Sequence, residues 1–260
     1  MIALFPSRTV ALDLFGFGIH WYGIMYLLSF VSAYLLLPRL ERYRGLSVAR
    51  KDWSDVLTAG VLGVIVGGRL GYVLLYDPAY FLAHPLEVFA VWNGGMSSHG
   101  GFVGTALALA WVLRRKGIPL CAFADIAVVP VAIGLALGRI GNFINLELYG
   151  TPTDLPWGIA IPGVEGLRHP VQFYASAKDL FIALVCFLHL RSVRSATTPG
   201  ITCALFLMLY GALRFLVEFA RAQDYAGLDL GFMELTRGQA LTAPVFVVGV
   251  FLWRRAGRGR

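Results

Sequence analysis

Residues 120–145 read LCAFADIAVVPVAIGLALGRIGNFIN. The stretch 120–139 is an apolar run of the length a helix needs to cross a bilayer, about 20 residues. It then closes on Gly138, Arg139, Gly141, Asn142 and Asn145. An apolar span that ends in a guanidinium and two amides decides the fold, because it predicts a helix in lipid with polar chemistry at one end. Six further segments of similar length lie at about 17–37, 53–76, 96–113, 171–190, 200–220 and 238–253. Seven spans predict an all-α polytopic membrane protein. No soluble domain, low-complexity linker or internal repeat is visible, so residues 1–260 are expected to form a single integral-membrane domain.

Composition agrees. The chain is 58% hydrophobic and only 14% charged, with a mean hydropathy of +0.70. A soluble domain carries about 25% charged residues, so this chain cannot cover a water-facing surface. Its net charge of +7 does not point to nucleic acid, because the basic residues sit in short clusters between apolar runs. Those clusters are Arg39, Arg42, Arg44, Arg50 and Lys51; Arg114, Arg115 and Lys116; Arg191 and Arg194; and Arg254, Arg255, Arg258 and Arg260. They fall on alternate connections. The positive-inside rule places them in the cytoplasm, with the N-terminus outside and the C-terminus inside. The N-terminus has no basic region followed by a small-residue cleavage site, so no removable signal peptide is expected.

The connection at about 140–170 holds Pro152, Pro156, Pro162, Gly158, Gly163 and Gly166, and is expected to be irregular and outside the bilayer. Gly63, Gly67 and Gly71, and Gly134 with Gly138, have the small-xxx-small spacing that lets helices approach closely in lipid. Cys121, Cys186 and Cys203 lie in apolar stretches without metal-ligand spacing and read as small core or lipid-facing residues. No metal cluster and no phosphate-cradling glycine loop of the P-loop type is visible.

Against this background a few residues are costly. An ionisable side chain at the centre of a span costs about 2.5–3.5 kcal/mol on insertion scales, yet Arg69, Arg139, Arg214 and Glu218 lie within spans or at their ends. Under the expected topology the three arginines fall in the outer half of the bilayer, and His20, Tyr22 and His99 near the outer ends of their segments. Tyr210, Arg214 and Glu218 follow at i, i+4 and i+8 on one helical face, with Arg221 beyond. That pattern fits a packing ion pair, but more readily a cationic face whose geometry a carboxylate sets, and the two are compatible. His99 lies among Gly94, Gly95, Gly100 and Gly101 and has the side chain suited to proton transfer near neutral pH.

The stretch Gly138-Arg139-Ile140-Gly141-Asn142-Phe143-Ile144-Asn145-Leu146-Glu147-Leu148-Tyr149-Gly150 resembles the signature of the bacterial prolipoprotein diacylglyceryl transferases. Supporting stretches are His20 to Gly23, Gly67 to Tyr72, Gly94 to Gly101, Arg168-His169-Pro170 and Tyr210 to Arg214, in order along nearly the whole chain. Two departures stand out: Ala175 where the family often carries a glutamate, and Leu146 where it commonly carries glycine.

The resemblance implies transfer of the diacylglyceryl group of phosphatidylglycerol to the lipobox cysteine of a preprolipoprotein, with release of glycerol phosphate. It implies an inner-membrane location, a periplasmic N-terminus and 140–170 segment, and an active site toward the periplasm. The expected partners are phosphatidylglycerol, the preprolipoprotein signal peptide and membrane lipids. No cofactor, metal or nucleic acid is implied, and the chain is expected to be a monomer. Arg139 and Arg214 would bind phosphate and stabilise the leaving group, and His99 would be either the general base or a head-group ligand. Tyr22, Asn142, Asn145, Glu147 and Gly150 would position the head group, Tyr210 and Glu218 would orient Arg214, and Arg69 would either be structural or extend the cationic site. A lipid or anion transporter with an arginine-lined cavity is the alternative.

Overall fold

The computed structural model describes residues 10–14, 17–193, 198–223, 228–229 and 234–257. Arg194, Arg258 and Arg260, used above as topology signals, lie outside the described residues. Among the described residues eight α-helices follow in order: α1 (Trp21–Leu40), α2 (Arg50–Leu75), the short α3 (Pro78–Ala83), α4 (Ser98–Arg115), α5 (Leu120–Ile144), α6 (Val171–Ser192), α7 (Ile201–Glu218) and α8 (Arg237–Gly257). All but α3 coincide with the expected segments to within a few residues. Five helical stretches are long and apolar enough to cross a membrane: Trp21–Arg44, α2, α5, α6 and α7. The helices α4 and α8 stand where the third and seventh spans were expected but fall short of that measure. Their polar positions explain this, since α4 holds His99, Arg114 and Arg115 and α8 holds Gln239, Arg254 and Arg255. Large apolar side chains such as Leu74, Phe102, Leu107 and Phe251 are exposed, an outer surface that suits lipid rather than water.

The chain divides into two compact units, Met1–Gly45 with Ala124–Arg260, and Leu46–Phe123. Within the second unit, α2 and α4 meet along a glycine seam. A Cβ on Gly67 would lie 2.5 Å from the Gly100 carbonyl oxygen and 2.7 Å from Gly104 Cα, and one on Gly71 would lie 2.7 Å from Gly100 Cα. The expected packing role of Gly63, Gly67 and Gly71 is thus realised against Gly100, Gly104 and Thr105. Gly134 approaches Ser29, but nothing lies within 4 Å of a Cβ on Gly138, so the second expected packing pair is only half present.

Arg69 on α2 is closed by backbone. Its Nε donates to Val88 O at 2.9 Å, Nη1 to Gly94 O at 2.6 Å and Gly95 O at 3.1 Å, and Nη2 to Glu87 O at 2.6 Å. With four of its donors used in this way, Arg69 fastens the 87–95 turns to α2; of the two roles open to it, this geometry fits the structural one. Lys116 bridges Asp52 and Asp55 at 2.6 and 2.5 Å, and the two carboxylates push its ammonium pKa above the usual lysine range.

Within the first unit, a buried network ties α5 to the start of α7. Arg44 Nε donates to Asp125 Oδ2 at 2.6 Å, Nη2 to Thr202 Oγ1 at 2.8 Å and Nη1 to Val193 O at 2.5 Å. Asp125 also accepts from Gly200 N and Cys203 N, both at 2.8 Å. Arg44, read above as one of the basic topology residues, is therefore a buried structural charge that never meets solvent. Three two-residue to five-residue antiparallel pairs complete the fold: β1 (Val10–Leu14) with β2 (Phe17–His20), β3 (Ile159–Ala160) with β4 (Leu167–Arg168), and β5 (Leu228–Asp229) with β6 (Glu234–Leu235). The 140–170 connection is thus less irregular than expected. Its first residues continue α5 to Ile144, and β3 and β4 form a small hairpin inside it.

Candidate active site

The last turns of α5 set the site. They carry Arg139 and Asn142 on one face at i and i+3, and Arg139 Nη1 donates to Asn142 Oδ1 at 3.2 Å. The helix then ends through bonds from Asn145 N to Gly141 O and from Glu147 N to Asn142 O, at 3.0 and 3.1 Å. Leu146 and Leu148 sit at φ of 58° and 54°. This left-handed backbone costs an L-residue roughly 1–2 kcal/mol and is the conformation glycine adopts freely. The two leucines flank Glu147 and turn its carboxylate back onto α5 and α1. There Tyr22 donates its hydroxyl proton to Glu147 Oε1, Asn142 Nδ2 donates to the Tyr22 hydroxyl oxygen, and Asn142 Nδ2 also reaches Glu147 Oε1 at 3.0 Å. Tyr22, Arg139, Asn142 and Glu147, spread over 125 residues of chain, form one connected polar chain.

A second cluster stands on α7. Arg214 donates to Glu218 one turn away, and Arg221 lies 3.7 Å from the same carboxylate. Gln223 Nε2 and Thr236 Oγ1 donate to Glu218 Oε1 at 3.2 and 3.3 Å. A Cβ on Gly238 would collide with this carboxylate, so only glycine there leaves room for it. Glu218 is 1% exposed and holds two arginines at once. The two clusters meet across a narrow crevice lined by Arg139, Arg214, Arg221 and Gln172 and closed by apolar side chains that include Ala175. Arginine has five donors. Among the described residues Arg139 spends one of them, on Asn142, and Arg214 likewise bonds Glu218 alone. The crevice therefore presents guanidinium donors in a low-dielectric setting, an arrangement suited to a phosphate.

Other expected residues fall into place differently. Asn145 lies just past the end of α5, and its buried Oδ1 has no hydrogen-bond partner among the described residues. Gly150 is buried in backbone contacts. A Cβ there would lie 2.5 Å from His169 and 2.6 Å from Ala220 O, so its part is to dock the 150–152 strand-like segment onto the end of α7. Tyr210, expected to orient Arg214, is not bonded to it. It stacks on Phe206 and carries Lys178 Nζ 4.5 Å above its ring. His99 is exposed in the first turn of α4, after the Ser97 cap, and has no hydrogen bond among the described residues. His20 is exposed at the end of β2.

The structure also brings in residues that the sequence reading passed over. Lys178 and Asp179 form a buried ion pair in α6, beside Tyr210. Asp179 lies one turn beyond Ala175, the position that lacks the family's carboxylate. Both charges sit in the middle of an apolar segment, so the cost of burying charge in a span could have found them. Gln172 is 1% exposed, and its Nε2 donates to Glu147 O at 2.9 Å.

Fold and site together define a helical membrane protein that gathers arginines and their carboxylate partners from α5 and α7 into one crevice. The chain belongs to the prolipoprotein diacylglyceryl transferase family, whose profile matches residues 9–255. Relatives named phosphatidylglycerol–prolipoprotein diacylglyceryl transferase include one from Polynucleobacter asymbioticus, 45% identical over 96% of this chain and 97% of its own length. Another, from Geobacter sulfurreducens, is 47% identical over 89% of this chain and 88% of its own. A third, from Cupriavidus metallidurans, is 46% identical over 96% and 94%.

Proposed function

We propose that this chain is a transferase that moves the diacylglyceryl group of phosphatidylglycerol to the lipobox cysteine of a preprolipoprotein, the first step of lipoprotein maturation. The observation that carries the reading is the pair of incompletely satisfied arginines, Arg139 and Arg214, lining one crevice. The cysteine sulfur forms a bond to the terminal glyceryl carbon, and the bond from that carbon to the phosphate oxygen breaks. The electron pair leaves on glycerol phosphate, where arginine donors in a water-poor crevice stabilise the growing charge. Glu218 fixes Arg214 and Arg221. The Tyr22–Asn142–Glu147 chain fixes Arg139 and offers polar contacts to the head group, together with Asn145. Gly150 and Tyr210 serve by packing the segments that carry these groups. For His99 the family resemblance leaves two roles, taking the thiol proton, since a thiolate is the nucleophile and a free thiol has a pKa of about 8.5, or holding the head group.

This reading places the chain in the bacterial inner membrane as a single seven-span catalytic unit acting as a monomer. The N-terminus and the active site face the periplasm and the C-terminus the cytoplasm. The remaining basic clusters support that orientation by the positive-inside rule. The transporter alternative finds no support in a family of transferases. The test is reconstitution of the purified chain in vesicles of phosphatidylglycerol with a lipobox peptide, reading the thioether-linked product by mass. No product with correctly folded protein would overturn the assignment. With His99 as the base, His99→Gln should slow transfer about 10²-fold or more at neutral pH and recover as pH nears the thiol pKa. Parallel pH–rate profiles would instead make His99 a head-group ligand.

A further inference from the structure

The crevice is rich in donors and poor in acceptors. Arginine donates only, so Arg139, Arg214 and Arg221 can receive a phosphate but cannot receive a hydroxyl proton. Gln172 is the exception. Its side chain is almost wholly buried, and its Nε2 donates to the Glu147 carbonyl at 2.9 Å. That bond fixes the amide orientation, because a flipped amide would set oxygen against oxygen. The remaining atom, Oε1, is buried and has no hydrogen-bond partner among the described residues. A buried acceptor left without a donor is costly in a native fold, and here it belongs to a side chain that lines the anion crevice.

We infer that Gln172 is a specificity-determining residue whose Oε1 accepts a hydrogen bond from a hydroxyl of the lipid head group, so that the site reads a polyol beside the phosphate. The inference rests on the proposed reaction. It predicts selection among anionic lipids of equal charge, which arginines alone cannot provide. A head group without hydroxyls leaves Oε1 unpaired in the bound complex, and sites built to bond a hydroxyl reject analogues that lack it.

The experiment compares phosphatidylglycerol with phosphatidylpropanol, which has the same charge and a three-carbon head group without hydroxyls. Each is offered to the full chain in otherwise neutral vesicles with a lipobox peptide. Wild type should prefer phosphatidylglycerol in kcat/KM by about tenfold or more, the size of one lost hydrogen bond to a buried acceptor. In Gln172→Met, which keeps the length but loses the acceptor, the preference should collapse toward unity, with phosphatidylpropanol turnover falling less than that of phosphatidylglycerol. Equal use of the two lipids by wild type would overturn the inference without any variant. A parallel fall for both lipids in Gln172→Met would also overturn it, since Gln172 would then act only by holding the Glu147 loop. Absence of transfer by folded wild type from either lipid would instead remove the proposed reaction, and the inference with it.

Discussion

Arg44 and Arg214 are both buried arginines bonded to a buried carboxylate, and they differ in what is left over. Arg44 is met on every side by Asp125, Thr202, Val193 O and, at 3.4 Å, its own neighbour Tyr43 O, while Asp125 also takes two backbone N–H groups. Arg69 is closed in the same manner by four carbonyls. Arg214 bonds Glu218 alone, and that carboxylate is shared with Arg221, Gln223 and Thr236. Charge in an apolar segment is thus no mark of function by itself. A closed network holds helices together, and donors left unspent mark a site for something else.

The largest effect expected from this contrast is on folding. Asp125→Ala strands Arg44 in the interior and should cost about 3–5 kcal/mol, read as a fall in Tm and in yield from the membrane. An unchanged Tm would erase the distinction between the two networks. Next, Arg139→Ala and Arg214→Ala should each lower transfer about 10²–10³-fold while leaving Tm near wild type. Glu218 keeps its other three partners when Arg214 is removed. The lysine variants keep the charge but lose the planar fork, so they should fall between. Destabilisation by Arg214→Ala equal to that of Asp125→Ala would make the α7 pair a packing device. Tyr22→Phe should have a smaller effect, about tenfold on turnover, since Glu147 keeps Asn142 as a donor. The smallest effect belongs to Leu146. Leu146→Val places a β-branched residue at positive φ and should cost about 1 kcal/mol in thermal stability, whereas Leu146→Gly should not fall below wild type.

Hydropathy located every long helix among the described residues to within a few residues, and five of these stretches are apolar enough over about 20 residues to cross a membrane. It also picked out Arg139, Arg214 and Glu218, whose cost stands out against that background. What it missed was tertiary. Arg44 is basic and lies near a span end, so its sequence context matches that of its solvated neighbours. Only the Asp125 carboxylate, 81 residues away, makes it structural. The turn that brings Glu147 to Tyr22 depends on two leucines at positive φ, which no apolar pattern encodes; the departure from the family at Leu146 was the one hint. Gln172 is a neutral amide at a helix start, and its unpaired oxygen becomes visible only once its neighbours are placed. Lys178 and Asp179 were legible by the rule that found Arg214, but as adjacent opposite charges they cancel in any net count.

The glycine seam between α2 and α4 bears on how the chain is made. Under the proposed seven-span topology α2 and α4 meet as inserted helices whose backbones are already ordered, and glycine has no rotamers to freeze. Joining along Gly63, Gly67 and Gly71 against Gly100 and Gly104 therefore carries little entropic cost and needs no repacking of side chains. Both helices lie before residue 116, so under that topology this pair is able to close during synthesis before the helices that carry Arg139 and Arg214 are made.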